Sequence, residues 1–168
     1  MKIFTTQLHG LFQKIIEKEE DALEDGARLL AQGPAGTGSL YVIGLGAMKG
    51  VADALASHPD APDNTAHLNE QKRNEAGAAD RVLIIADKAD DAFYELLAFF
   101  EEAAVPMVIA APFIVEDVID VVIYLHVRDG LIPAEDGSRY GSPAALCAMF
   151  IGQLLFLGVK DMLEELEE

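Results

Sequence analysis

Four short apolar runs set the fold of this chain. Arg81 to Ala86, Val105 to Ala110, Leu40-Tyr41-Val42-Ile43 and a stretch within Val118 to Val127 are rich in β-branched residues and alternate little with polar ones. That is the pattern of strands covered on both faces. Between them the period changes to three and four residues, as at Phe93, Leu96/Leu97 and Phe100. Strands alternating with helices call for a parallel sheet between helical layers. We therefore expect one domain over residues 1–168, an α/β chain folded as a three-layer α/β/α sandwich of about five parallel strands.

The ends are helical. Phe4, Leu8, Leu11/Phe12, Ile15/Ile16, Leu23, Ala27 and Leu30 predict a long amphipathic helix from Ile3 to Ala31, stopped by the breakers between Gln32 and Gly38. Ser142-Pro143 supplies an N-cap and a proline at the first helical position for a second long helix, Ala144 to about Leu166. Its apolar residues nearly encircle it, which predicts cover from the sheet on one side and another subunit on the other, in a homodimer or homotetramer. Thr65 to Leu68 is a weaker strand candidate, and Asn69 to Asp80 is polar with at most a turn or two of helix.

Composition excludes several classes. With 29 acidic against 12 basic residues and a formal charge of −17, nucleic acid is not an expected partner. The acidic stretches EKEEDALED (17–25) and DMLEELEE (161–168) read as solvated surface. No run of about 18 or more uncharged apolar residues is apparent and the N-terminus carries no secretory pattern, so we expect no membrane partner and a cytoplasmic location. Cys147, the single cysteine, falls in an apolar helical pattern and reads as a buried small hydrophobe.

In such sheets ligands bind beyond the carboxyl ends of the strands. The segments to weigh are 44–50, 69–75, 86–91, 111–117 and 128–142. The first contains Gly44-Leu45-Gly46-Ala47-Met48-Lys49-Gly50, spaced G-x-G-x-x-x-G, one residue longer than the dinucleotide fingerprint. Nearly 40 residues precede the first strand, which also fits a two-half dinucleotide fold poorly. We expect no cofactor.

The leading helix, the G-x-G turn and the block ADRVLIIADKADDAFYELLAFFEEAAVPMVIAAP together resemble the sugar isomerase (SIS) domain, particularly its phosphoheptose-isomerase-like members. The resemblance spans nearly the whole chain, and FTTQLHG with EDGARLLAQG points to a divergent, uncharacterised bacterial subgroup. It implies a flavodoxin-like topology and a site in which hydroxyls and backbone N–H groups at helix N-termini collect the phosphate of a sugar. Here the hydroxyls are lost. Ala47 or Met48 stands at the first serine position, and Asp87, Lys88, Ala89, Asp90 and Asp91 occupy the second hydroxyl-bearing loop. The resemblance also implies a catalytic glutamate after the first loop and a histidine on the last helix. His58 falls near the former position, and no histidine follows His126.

The expected ligand is accordingly a phosphorylated sugar or another small anion, bound without catalysis or for regulation. A phosphosugar isomerase is the alternative, followed by a structural oligomer with a vestigial pocket or a nucleotide-cofactor binder. Candidate ligand-binding residues are Gly44, Gly46, Met48, Lys49, Asp87, Lys88, Ala89, Arg139 and Ser142. Arg73, Arg128 and Ser138 are further groups able to answer an anion. His67, Glu70 and Asp87 could converge on a cation, but recurrent metal-ligand spacing is absent from the sequence, so no metal is expected.

Overall fold

The apolar runs become five parallel strands in the computed structural model, which describes residues 1–117 and 120–167. These are β1 (Leu40–Gly44), β2 (Thr65–His67), β3 (Arg81–Ile85), β4 (Met107–Ala111) and β5 (Val121–Tyr124), in the spatial order β2-β1-β3-β4-β5. Val118 and Ile119, at the start of the fourth expected run, lie outside the described residues. Because the winding reverses between β1 and β3, the loops leaving those two strands diverge and open a crevice at the carboxyl edge.

The two-residue period of a strand divides the apolar side chains between two cores. Val42, Leu83, Ile85, Val108 and Ile123 face a layer made of α1 (Lys2–Ala35), α2 (Lys49–Ala56) and α4 (Ala144–Glu167). Ile43, Val82, Ile84 and Ile109 face the other layer, where Phe93, Leu96 and Phe100 of α3 (Asp91–Glu102) pack. Phe12 stacks on Phe150 at a centroid distance of 4.3 Å, joining the first helix to the last. At the amino edge, the Asp80 carboxylate accepts from Ser39 N at 2.7 Å and Gly77 N at 2.8 Å, tying the starts of β1 and β3 together.

Four departures from the sequence reading have local causes. α1 continues through Gly33 and Pro34 to Ala35, because a proline in a last turn sacrifices little hydrogen bonding. A Cβ at Gly33 would lie 2.8 Å from the Ser39 carbonyl oxygen, so this glycine serves close packing there. The acidic stretch 17–25 is not wholly solvated: Glu19 is 7 % exposed. It lies four residues after buried Ile15 and seven before buried Gly26, on the inward stripe of the helix.

The segment 128–142 is more than loop, since β6 (Ile132–Pro133) pairs antiparallel with β7 (Arg139–Tyr140). Finally, α4 does have the length and hydropathy to cross a membrane. Its apolar residues Cys147, Ile151, Leu155, Phe156 and Val159 are instead buried in the core shared with α1 and the sheet. Ser142 accepts weakly from Ala144 N at 3.5 Å, while the Pro143 carbonyl accepts the first helical bond, from Cys147 N at 2.9 Å.

Burial pushes the Cys147 thiol up to about 11. A thiolate-selective reagent at neutral pH is therefore expected to leave native protein unmodified for hours and to label it within minutes in denaturant. Ready labelling of the folded chain would show that α4 detaches from its core.

Candidate functional site

A cleft of about 630 Å³ opens where the strand order reverses, at the carboxyl edge of the sheet. Its wall begins at Ala47 and Met48, in the 3₁₀ turn (Gly46–Met48) that joins β1 to α2. Asp87 contributes from the end of β3, Pro112 and Phe113 from the end of β4, and Val127 and Arg128 from beyond β5. Ser142, Ala144 and Ala145 close it with the N-terminus of α4. One carboxylate, one guanidinium, one hydroxyl and the positive end of a long helix thus share a largely apolar cleft.

The turn after β1 is shaped around Asp87. Gly46 adopts φ +56°, a left-handed conformation that favours glycine. A Cβ at that residue would lie 2.5 Å from Asp87 Oδ1, and Ala47 N donates to Asp87 Oδ2 at 3.3 Å. The Asp87 carboxylate therefore occupies the space beside the backbone N–H where an anionic ligand of such a turn would sit. Gly44 allows the strand end to lie flush on Met48 and Ala52 of the returning chain.

The other candidate residues separate into distinct environments. Lys49 reaches Glu70 at 3.1 Å, bridging α2 to the segment after β2. Lys88 and Ala89 are exposed in the turn between β3 and α3. Asp90 caps α3, accepting from Phe93 N at 3.1 Å, and Asp91 lies in that helix's first turn. Of the three neighbouring aspartates, Asp87 lines the cleft and Asp90 is committed to the helix cap.

Arg139 donates to the Gly130 and Leu131 carbonyls at 2.8 and 3.0 Å, holding the β6–β7 hairpin, and does not line the cleft. Ser138 is bound to Asp136 in the same hairpin. Arg73 lies over the Phe99 ring, 4.7 Å from its centroid. Arg128, by contrast, lines the cleft and takes part in no ion pair among the described residues. His67, Glu70 and Asp87 do not come together, and among the described residues no group of three or more His, Cys, Asp or Glu could hold a metal.

A buried pair at the end of β5 was not visible as a pair in the sequence. Glu19 of α1 accepts from Tyr124 N at 3.1 Å and lies 2.6 Å from His126 Nε2. Burial, chiefly, pushes the Tyr124 phenol above its ordinary range, with the charges of Glu19 and Glu116 adding and a Val115 backbone hydrogen bond opposing. The phenol is neutral at physiological pH.

Comparison with known proteins agrees with this geometry. A family model described as a domain of unknown function, DUF2529, matches residues 1–163. The uncharacterized protein YwjG of Bacillus subtilis (strain 168) is 36 % identical over 173 residues, covering 98 % of each chain. Among solved structures, an E. coli CFT073 protein in complex with arabinose 5-phosphate superposes with a TM-score of 0.76 at 12 % identity, covering 96 % of this chain and 88 % of that one. A candidate phosphosugar isomerase involved in capsule formation, from Bacteroides fragilis, gives 0.71 at 15 % identity over 95 % and 90 %. A Methanococcus jannaschii protein, whose structure was read as that of a 3-hexulose-6-phosphate isomerase, gives 0.65 at 11 % identity over 99 % and 90 %.

Proposed function

We propose a ligand for this chain, which belongs to the DUF2529 family and has the SIS fold: the cleft binds a phosphorylated sugar or a closely related small anion. The observation that carries the reading is the cleft at the strand-order reversal, with Arg128 and the N-terminus of α4 on one side and Asp87 on the other. The arabinose 5-phosphate complex of the E. coli structural neighbour supports the ligand class.

The charges fix an orientation. Asp87 already occupies the turn after β1, so a phosphate placed there would meet a like charge. We place the phosphate at Arg128 and Ser142, where a guanidinium and free helical N–H groups converge. The hydroxyls of the sugar then donate to Asp87. This polarity uses each charged group of the cleft with the sign it has.

Thermal-shift titration tests the reading, with arabinose 5-phosphate and sedoheptulose 7-phosphate as probes and nucleotides and inorganic phosphate as controls. A ligand at about 100 times its Kd stabilises the fold by roughly 2.7 kcal/mol, and for a chain of this size the melting temperature rises by roughly 5 to 10 °C. Arg128→Ala is expected to weaken binding at least about tenfold, the scale of one lost charge-assisted hydrogen bond. Lys49→Ala, which removes a cation already paired with Glu70, is expected to change affinity less than about twofold. Absence of saturable stabilisation by any phosphosugar would defeat the reading.

A further inference from the structure

A second recess of about 530 Å³ adjoins the cleft and shares Pro112, Phe113, Val127 and Arg128 with it. Its own residues include Lys14 from α1, together with Tyr124 and His126. We propose that this recess is a proton-transfer site, in which His126, held by Glu19, moves a proton at a carbon next to the carbonyl of an open-chain sugar phosphate or similar anionic hydroxycarbonyl compound. The inference rests on the ligand class proposed above and adds a reaction to it.

Four observations converge on His126. Glu19 is the one charged residue buried among the described residues, and both of its oxygens are engaged, Oε2 by Tyr124 N and Oε1 by the imidazole at 2.6 Å. A carboxylate taken out of water is costly unless it is fully hydrogen-bonded, so its place on this stripe is met by specific partners. Its contact fixes the ring and assigns Nε2 as the donor when the imidazole is neutral. Nδ1 then carries the lone pair, and it has no protein partner among the described residues.

The backbone of His126 adopts φ +56°, a conformation uncommon for a residue with a side chain and enriched at functional positions. It turns the chain out of β5 while the ring remains against Glu19 and on the recess wall, with its side chain 20 % exposed. Lys14 and Arg128 supply two cations in the same recess. A fixed imidazole with one free nitrogen, an orienting carboxylate and cations for a developing oxyanion are the parts that proton abstraction beside a carbonyl requires.

In the step, His126 Nδ1 takes the proton from the hydroxyl-bearing carbon. The C–H electron pair forms the carbon–carbon double bond, and the carbonyl pair moves onto its oxygen, next to Lys14. Imidazolium returns the proton to the former carbonyl carbon, while the neighbouring hydroxyl loses its proton to the enediolate oxygen and becomes the new carbonyl. No oxidant, reductant or second substrate enters. Glu19 acts as a positioning residue, through the ring.

Deuterium uptake from D2O into arabinose 5-phosphate and sedoheptulose 7-phosphate, followed by NMR beside the thermal-shift titration, separates the two readings. The expected result is uptake at the carbonyl-adjacent carbon at least 100-fold above buffer. His126→Asn, chosen because asparagine tolerates positive φ, is expected to abolish uptake while retaining the thermal shift. Glu19→Gln keeps an acceptor for Tyr124 N and is expected to lower the uptake rate at saturation at least tenfold with probe affinity unchanged. A merely structural latch between α1 and β5 would lower the melting temperature and leave rate per folded molecule intact. Saturable binding without uptake by the wild-type protein overturns the proton-transfer site and leaves the ligand reading standing. Neither binding nor uptake overturns both, and uptake that survives His126→Asn overturns the role of His126.

Discussion

Gly44→Ala is expected to leave little folded protein, because the methyl group has nowhere to go. Gly44 ends β1 in register with Ile85, and a Cβ there would run into the Met48 carbonyl group and come within 2.9 Å of the Ala52 Cβ. Those neighbours are backbone and buried core: Met48 is 1 % exposed and Ala52 0 %. Relief would require the whole turn and the start of α2 to move away from the sheet. Overpacking against adjustable side chains costs about 1–3 kcal/mol. Against backbone we expect about 4 kcal/mol or more, a large share of the roughly 5–15 kcal/mol that holds a domain together.

The urea midpoint and soluble yield measure this effect. Gly50→Ala is the control, since a Cβ at Gly50 meets nothing within 4 Å and lies in α2. It is expected to stabilise by about 0.5–1 kcal/mol. A Gly44→Ala protein with wild-type stability would mean that the β1–α2 turn is looser than its packing implies. The contrast also separates the three glycines of the G-x-G-x-x-x-G run physically: the first is demanded by packing, the second by its left-handed backbone, and the third by neither.

The sheet was legible because a strand buried on both faces leaves an unbroken apolar run, and β1, β3 and β4 all do so. β2 was fainter: its pattern is half-buried, exposed, exposed, so an edge strand carries little hydrophobic signature. The β6–β7 hairpin, two residues per strand, held by Arg139 on the Gly130 and Leu131 carbonyls, has no period long enough to read. Charged residues were hardest, because their partners are distant in sequence. Asp90 and Asp87 stand three positions apart, yet one caps its own helix and the other reaches across 40 residues to Ala47. Glu19 carried a local signal, its place on the apolar stripe between Ile15 and Gly26, but the acidic run around it concealed that phase. His126 is 107 residues away from it, a pairing that only the packing of α1 against β5 creates.

Asp87→Ser is expected to tighten binding of inorganic phosphate by about 10- to 100-fold. The resemblance to phosphosugar-binding turns and the altered chemistry of this one meet at that residue. Ala47 N and the left-handed Gly46 form a turn at the start of a helix, the geometry that receives anions in related folds, but the chain's own carboxylate is seated there. Two like charges about 5 Å apart at an effective dielectric constant of about 20 repel by roughly 3 kcal/mol, and partial exposure of Asp87 reduces this to about 1.4–2.8 kcal/mol. Serine removes the charge, vacates the space and supplies a hydroxyl. Asp87→Asn, which keeps the bulk, isolates the charge: a gain with both variants assigns the barrier to electrostatics, and a gain with serine alone assigns it to occupancy. In Asp87→Ser the phosphate has a second place to bind, so its dependence on Arg128 is expected to fall. Calorimetric titration of the two variants, each with and without Arg128→Ala, reads all of this directly. Unchanged phosphate affinity in both would mean that the turn has lost its capacity for anions altogether, and that Arg128 with the N-terminus of α4 is the sole anchor of the cleft.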